Sequence, residues 1–247
     1  YASFARWLAR EGYLAVTFDF RGVGASQHGS LRDARLDIFD WARDCAPVLE
    51  ALRARAGDVP VTWIGHSLGG QIVPFVPGRE SIGKIMTVAT GSGYWRENSK
   101  PLRRKVWWFW FVIVPLAVKL FGYFPGRRLR VVGDLPRGVI EQWRRWCLSP
   151  EYAVGVEKEA RAAFAAVTTP IVSISFTDDE MMSAENTASI HSFYSGAPRT
   201  MKRLHPREVG VKRVGHFGFF RRQFEESLWR TQVLPELLTI YDSVHAR

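Results

Sequence analysis

The pentapeptide Gly65-His66-Ser67-Leu68-Gly69 joins an apolar run over residues 60–65 to a segment with helical potential over 67–76. A serine on a sharp strand-to-helix turn is forced into strained backbone geometry, and only small neighbours tolerate the close approach. Such a turn restricts the fold to one in which strands feed directly into helices. The rest of the chain repeats that alternation. Residues 13–19, 84–89, 170–176 and 200–204 are short apolar or β-forming runs that read as strands, and 21–26 is a glycine-rich loop. Residues 2–10, 33–55, 184–194 and 232–244 carry helical spacing. The pattern predicts an α/β fold, a mostly parallel sheet with helices on both faces. It is interrupted once, over 92–165. The expected organisation is therefore a core over 1–91, an aromatic, basic helical cap over 92–165, and the rest of the core over 166–247.

A serine so placed projects its hydroxyl at the sheet's edge, where the N–H of Leu68 at a helix N-terminus can stabilise an oxyanion. The plainer role for such a serine is a helix N-cap. Nucleophilic chemistry needs an acid and a histidine in the chain order serine, acid, histidine. Thr177-Asp178-Asp179-Glu180 follows the run over 170–176 directly, and Gly215-His216-Phe217-Gly218 supplies a glycine-framed histidine in a late loop. Asp179 or Asp178 can serve as the acid. His205, before Pro206, rivals His216 as the base; His66 shapes the turn, and His28, His191 and His245 lie elsewhere. The expected catalytic set is Ser67, Asp179 and His216, with Leu68 as oxyanion donor.

Taken together, FDFRGVGAS, GHSLGG, SFTDDE and VGHFGFF resemble the loop after the fourth strand, the nucleophile elbow, the acid loop and the histidine loop of the α/β-hydrolases. The resemblance spans the chain except 92–165, which stands where that family carries a cap. It is similar to bacterial serine hydrolases of the esterase and monoacylglycerol-lipase-like type, and it favours Asp179 over Asp178. It implies a serine hydrolase cleaving a carboxylic ester with an apolar acyl group. Acyltransferase, serine peptidase and an inactive hydrolase-like docking protein are the alternatives. In the family the second oxyanion donor comes from a loop after the third strand, which would precede Tyr1. The resemblance thus implies missing N-terminal edge strands, and either a longer natural chain or an impaired one, since one lost donor costs ~10²–10³ in rate.

Charge is the second constraint. Lys and Arg total 34 against 24 acids, and residues 96–145 hold nine Arg and three Lys against Glu97, Asp134 and Glu141, a local excess of +9 that leaves +1 for all other residues. Within that stretch, thirteen residues from Val106 to Val118 are apolar and uncharged. A bilayer span needs ~20 such residues, and a crossing here would separate Ser67 from Asp179 and His216. The segment reads as a cap in which Trp107, Trp108, Trp110 and Phe111 pack the core, line an acyl pocket or dip into a membrane interface. An unbroken apolar run is not the basic–aromatic interleaving of a nucleic-acid platform, so the expected partners are a small ester or lipid-like substrate and, through the cap, a membrane surface, with no nucleic acid. Neither a metal-ligand spacing nor a dinucleotide fingerprint occurs, so no metal or other cofactor is expected. Two cysteines, Cys45 and Cys147, cannot staple a chain of 247 residues and read as reduced thiols of a cytoplasmic protein, peripheral at the membrane if the cap docks there.

Overall fold

A computed structural model describes residues 1–245 and builds them around a four-stranded sheet. Strands β1 (Val61–His66), β2 (Ile82–Val88), β3 (Ile171–Phe176) and β4 (Arg199–Leu204) lie in that order, every neighbouring pair parallel. All six residues of β3 are buried, as expected of a central strand in a sheet covered on both faces. In β4 the first three residues are exposed, the mark of an edge.

Helices follow from the spacing of their apolar residues. In α1 (Ala2–Arg10), Phe4, Trp7 and Leu8 share one buried face. Helix α2 (Ile38–Ala56) starts five residues later than the spacing predicts. Asp37 fixes the start: its carboxylate accepts from the Asp40 N–H at 2.8 Å while Asp40 accepts from the Asp37 N–H at 3.0 Å, a reciprocal cap. It buries Ile38, Trp41, Ala42, Cys45 and Leu49. After β1 comes the short α3 (Leu68–Gln71), which gives way to a 3₁₀ turn over Val73–Phe75 where Pro74 ends regular helical bonding. The expected helix over 67–76 is thus two short pieces.

One expected strand is absent. Residues 13–19 belong to no strand among the described residues. Alternation of apolar side chains suits a strand, but a ladder also requires a hydrogen-bonding neighbour. Here Leu14, Val16 and Phe18 instead line a groove of about 400 Å³ with Pro47, Val48 and Ala51 of α2.

Between β2 and β3 the chain is helical: α4 (Lys100–Trp108), a π-helical stretch Phe109–Ile113, α5 (Val114–Phe121), α6 (Gly126–Leu129), α7 (Arg137–Leu148) and α8 (Ala160–Ala165). Trp110, Val114, Phe124, Val139 and Trp146 from this stretch share one continuous core with Ile38, Trp41 and Leu49 of α2 and Ile85 of β2. Cys45 and Cys147 are both free and both buried in that core.

After β3 comes α9 (Ala184–Ser192), and a π-helical stretch Glu225–Val233 leads into α10 (Leu234–His245). The sheet's other face carries a second core, where Phe4 and Trp7 of α1 meet Phe219, Leu228 and Trp229 beneath Met86 and Ile174. The Nζ of Lys84 reaches from β2 to the Glu236 carbonyl at 2.6 Å and to Thr239 Oγ1 at 2.8 Å, tying α10 to the sheet.

Candidate active site

Ser67 stands between the last residue of β1 and the first of α3 with φ 49° and ψ −118°. A non-glycine residue at positive φ is strained and persists only where its surroundings over-determine it. Here the Ser67 N–H bonds the Val88 carbonyl at 3.0 Å, and Thr90 Oγ1 donates to the Ser67 carbonyl at 3.2 Å. A methyl at Gly65 would lie 2.5 Å from the Gly69 carbonyl oxygen, so no other residue fits without moving backbone. At Gly70 a methyl would collide with Thr90, whereas at Gly69 it would meet nothing within 4 Å. Space therefore constrains the first glycine of the pentapeptide and the glycine just beyond it, not the second.

His216 comes to this serine on a loop held by acids. Asp178 Oδ2 accepts the N–H groups of Val214 and Gly215 at 2.8 and 3.2 Å, and Glu180 Oε2 accepts that of His216 at 3.1 Å. Gly215 has φ 64°, and a side chain on Gly218 would collide with the Val214 carbonyl. Between these two anchoring acids, Asp179 turns the other way. Its Oδ2 lies 2.9 Å from His216 Nδ1, and its Oδ1 accepts from the N–H groups of Met181 and Met182, each at 2.8 Å. His216 Nε2 is 3.1 Å from Ser67 Oγ. The structure thus brings Ser67, His216 and Asp179 into one hydrogen-bonded chain.

The partners assign the protons. A carboxylate only accepts, so His216 carries its hydrogen on Nδ1 and turns the lone pair of Nε2 toward the serine hydroxyl. His216 is 1% exposed and the Asp179 side chain 1%, so this ion-capable pair is shielded from water. Ser67 itself is only half-buried. The Leu68 N–H opens α3 beside it, with no acceptor among the described residues.

Sequence reasoning missed what three residues do. Asp178, weighed as the acid, and Glu180 instead shape the histidine loop; the run of three acids was the signal, and only its middle member reaches the imidazole. His66, expected to shape the turn, is the third. Its Nε2 donates to the His216 carbonyl at 2.9 Å, which leaves Nδ1 to accept from Tyr1 Oη at 2.7 Å. Burial, with the neighbouring His216 adding to it, pulls His66 down to about 4, so it is neutral at pH 7. His205 is exposed, and its Nδ1 accepts from the Arg207 N–H at 3.2 Å as the cap of a 3₁₀ turn. His191 is buried between Thr87 and Thr187, away from the serine's hydrogen bonds, and His28 is exposed. The side chain of His245 lies outside the described residues.

The four aromatics singled out between β2 and β3 divide. Trp110 is buried against Trp143 and Phe109, whereas Trp107, Trp108 and Phe111 are exposed. Trp107 stacks on Phe111 with ring centroids 5.3 Å apart. Among the described residues no three His, Cys, Asp or Glu side chains gather as metal ligands, and no helix is long and apolar enough to cross a membrane.

Residues 1–114 match the family model Hydrolase_4, described as serine aminopeptidase, S33. The chain is 43% identical over 67 residues to the lysophosphatidylserine lipase ABHD12 of Gallus gallus, covering 25% of this chain and 15% of that protein. The Mus musculus protein of the same name gives the same identity over the same length and 14% of its own chain. The chain therefore spans about a seventh of these relatives' length. Among solved structures, one reported for the metagenome-derived lipolytic enzymes LipS and LipT covers 97% of this chain and 86% of its own, with TM-score 0.56 and 19% identity. Mouse alpha/beta hydrolase domain-containing protein 10 covers 99% and 83%, with TM-score 0.51 and 14% identity.

Proposed function

On the α/β-hydrolase fold that this chain carries, we propose that it is a serine hydrolase that cleaves carboxylic esters through an acyl-enzyme on Ser67. The observation that carries the proposal is the unbroken hydrogen-bond chain from Ser67 Oγ through His216 to Asp179, set on a strained strand-to-helix turn. His216 Nε2 takes the hydroxyl proton as Ser67 Oγ attacks the carbonyl carbon. The resulting oxyanion faces the Leu68 N–H. When the tetrahedral centre collapses, the bond to the alcohol oxygen breaks and His216 returns the proton to that oxygen. Water then attacks the acyl ester with His216 again as base, and the carboxylic acid leaves. Asp179 keeps the imidazole in the accepting tautomer and offsets its charge when protonated. The neutral state of His66 keeps a second positive charge from forming beside the imidazolium.

The short match to a lysophosphatidylserine lipase supports a lipid-like ester with an apolar acyl group. A peptide reading is favoured by the aminopeptidase description of the family model over residues 1–114. The test is intact-mass spectrometry after fluorophosphonate treatment of this chain, Ser67→Ala and His216→Ala. One adduct on this chain, absent from Ser67→Ala and strongly slowed in His216→Ala, is the expected result. An adduct that survives Ser67→Ala overturns the assignment. Turnover of p-nitrophenyl esters of graded acyl length against amino-acid anilides then separates the ester reading from the peptidase one.

A further inference from the structure

A helix packed on a protein core ordinarily turns polar residues outward. The continuous helical run α4, Phe109–Ile113 and α5 breaks that rule. Its inward side is already filled: Trp110, Val114, Ala117 and Val118 are buried. Outward it presents Trp107 (39% exposed), Trp108 (58%), Phe111 (40%), Ile113 (38%), Leu116 (54%) and Leu120 (72%). Exposed apolar side chains of this size gathered on one helical run mark a surface made for contact.

The surroundings of that surface are positive. Arg104 and Lys105 precede it, Lys119 lies within it, and Arg127, Arg128 and Arg130 follow in and at the end of α6, all exposed. None of the six forms a salt bridge among the described residues. The three acids of residues 96–145 are engaged elsewhere. Glu97 accepts from Ser92 at 2.7 Å, Asp134 accepts the Arg127 N–H at 2.9 Å, and Glu141 pairs with Arg137.

We propose that this face docks peripherally on an anionic lipid surface, with Trp108, Phe111, Leu116 and Leu120 in the interface and the basic side chains among the headgroups. Charge chooses the occupant. A second copy would bring two segments of +9 together, whereas acidic headgroups neutralise them. Docking is peripheral because no helix among the described residues can span a bilayer. It does not depend on the catalytic reading, since binding is measured without turnover.

The test is co-sedimentation of the whole chain with sucrose-loaded vesicles of phosphatidylcholine alone or with 30% phosphatidylglycerol, at low and high salt. Binding to the anionic vesicles is expected, weaker in high salt and on pure phosphatidylcholine. Replacing Lys105 and Lys119 by Gln should weaken it about fivefold each. The exposed pair L116E/L120E should cost at least tenfold, with near-ultraviolet circular dichroism checking that the variant stays folded. No vesicle binding, equal binding to neutral and anionic vesicles, or binding undiminished in folded L116E/L120E overturns the proposal. So does a concentration-dependent dimer that L120E dissolves in a chain that ignores vesicles, since the occupant would then be a second copy.

Discussion

Replacing Asp179 by Asn tests the site most sharply, because the structure dictates how the amide must sit. Asp179 Oδ1 accepts two backbone N–H groups, from Met181 and Met182. In Asp179→Asn only the amide oxygen can take that place. The NH₂ group must then occupy the Oδ2 position, the nearer one at 2.9 Å from His216 Nδ1, while the amide oxygen, 3.1 Å from Nδ1, is already taken by the two backbone N–H groups. Two N–H groups cannot face each other, so the imidazole moves its proton to Nε2, where it points at Ser67. The serine then has no acceptor for its own proton. Loss of the correct tautomer costs ~10⁴ in rate in a triad of this design, equivalent to about 5.5 kcal/mol of barrier. Asp178→Asn is the internal control. Its amide oxygen can still accept from Val214 and Gly215, and its NH₂ replaces Oδ1, which is buried and without a partner. That variant should lose no more than about tenfold and shift stability by about 1 kcal/mol. The assay is the rate of fluorophosphonate adduct formation by intact mass, with thermal unfolding of both variants alongside. Asp179→Asn within tenfold of the parent chain, or Asp178→Asn falling as far as Asp179→Asn, would refute the reasoning.

Gly65→Ala places a methyl against the Gly69 carbonyl and should slow adduct formation by ~10²-fold by displacing the serine, whereas Gly69→Ala, with open space, should leave the same rate within about twofold. Stability should fall on acidification. His191 is 2% exposed and burial holds it down to about 4, so below pH 6.5 the unfolded chain binds a proton that the folded chain refuses. That contributes about 1.6 kcal/mol of destabilisation between pH 6.5 and 5, visible as a lower urea midpoint; buried His66, also held down to about 4, adds a like amount, so His191→Gln should remove about half of the dependence over that interval, and an unchanged slope would count against the burial argument. Lys84→Met should lower the thermal midpoint by leaving the Glu236 carboxylate with Lys202 as its remaining cationic partner, and Glu236→Gln should relieve part of that loss in the double variant.

Strands β1 to β3 were legible because a strand inside a parallel sheet reads as an apolar run wherever it lies, whereas the edge strand β4, RTMKRL, showed only as a short β-forming stretch. Helix boundaries were less so: the start of α2 is set by the Asp37–Asp40 cap, a polar signal inside a stretch that apolar spacing extends back to residue 33. Residues 13–19 misled for the opposite reason. Their side-chain pattern suits a strand, but pairing is decided by neighbouring backbone, which no local pattern encodes. Within the site, Ser67, His216 and the acid run were visible as small-residue frames around reactive groups. Which member of Asp178-Asp179-Glu180 faces the imidazole depends on the turn that Met181 and Met182 make with Asp179, a tertiary detail. His66 was noticed only as a neighbour of the serine, since its partners Tyr1 and the His216 carbonyl are remote in sequence. The aromatic run concealed its own division. Helical phase exposes Trp108 and buries Trp110 against Trp143 of α7, a contact remote in sequence.

The two buried thiols also make the molecule its own probe of motion. Burial pushes Cys45 up to about 12 and raises Cys147 well above its ordinary range, so neither is a thiolate at neutral pH and an alkylating reagent must wait for local opening. Cys45 sits in α2 and Cys147 in α7, and both helices contribute to one shared core. Pulsed alkylation with residue-level readout therefore times two events without any engineered label. If the helices between β2 and β3 lift as a unit, Cys147 gains mass while Cys45 stays protected. If the core yields only as a whole, the two gain it together.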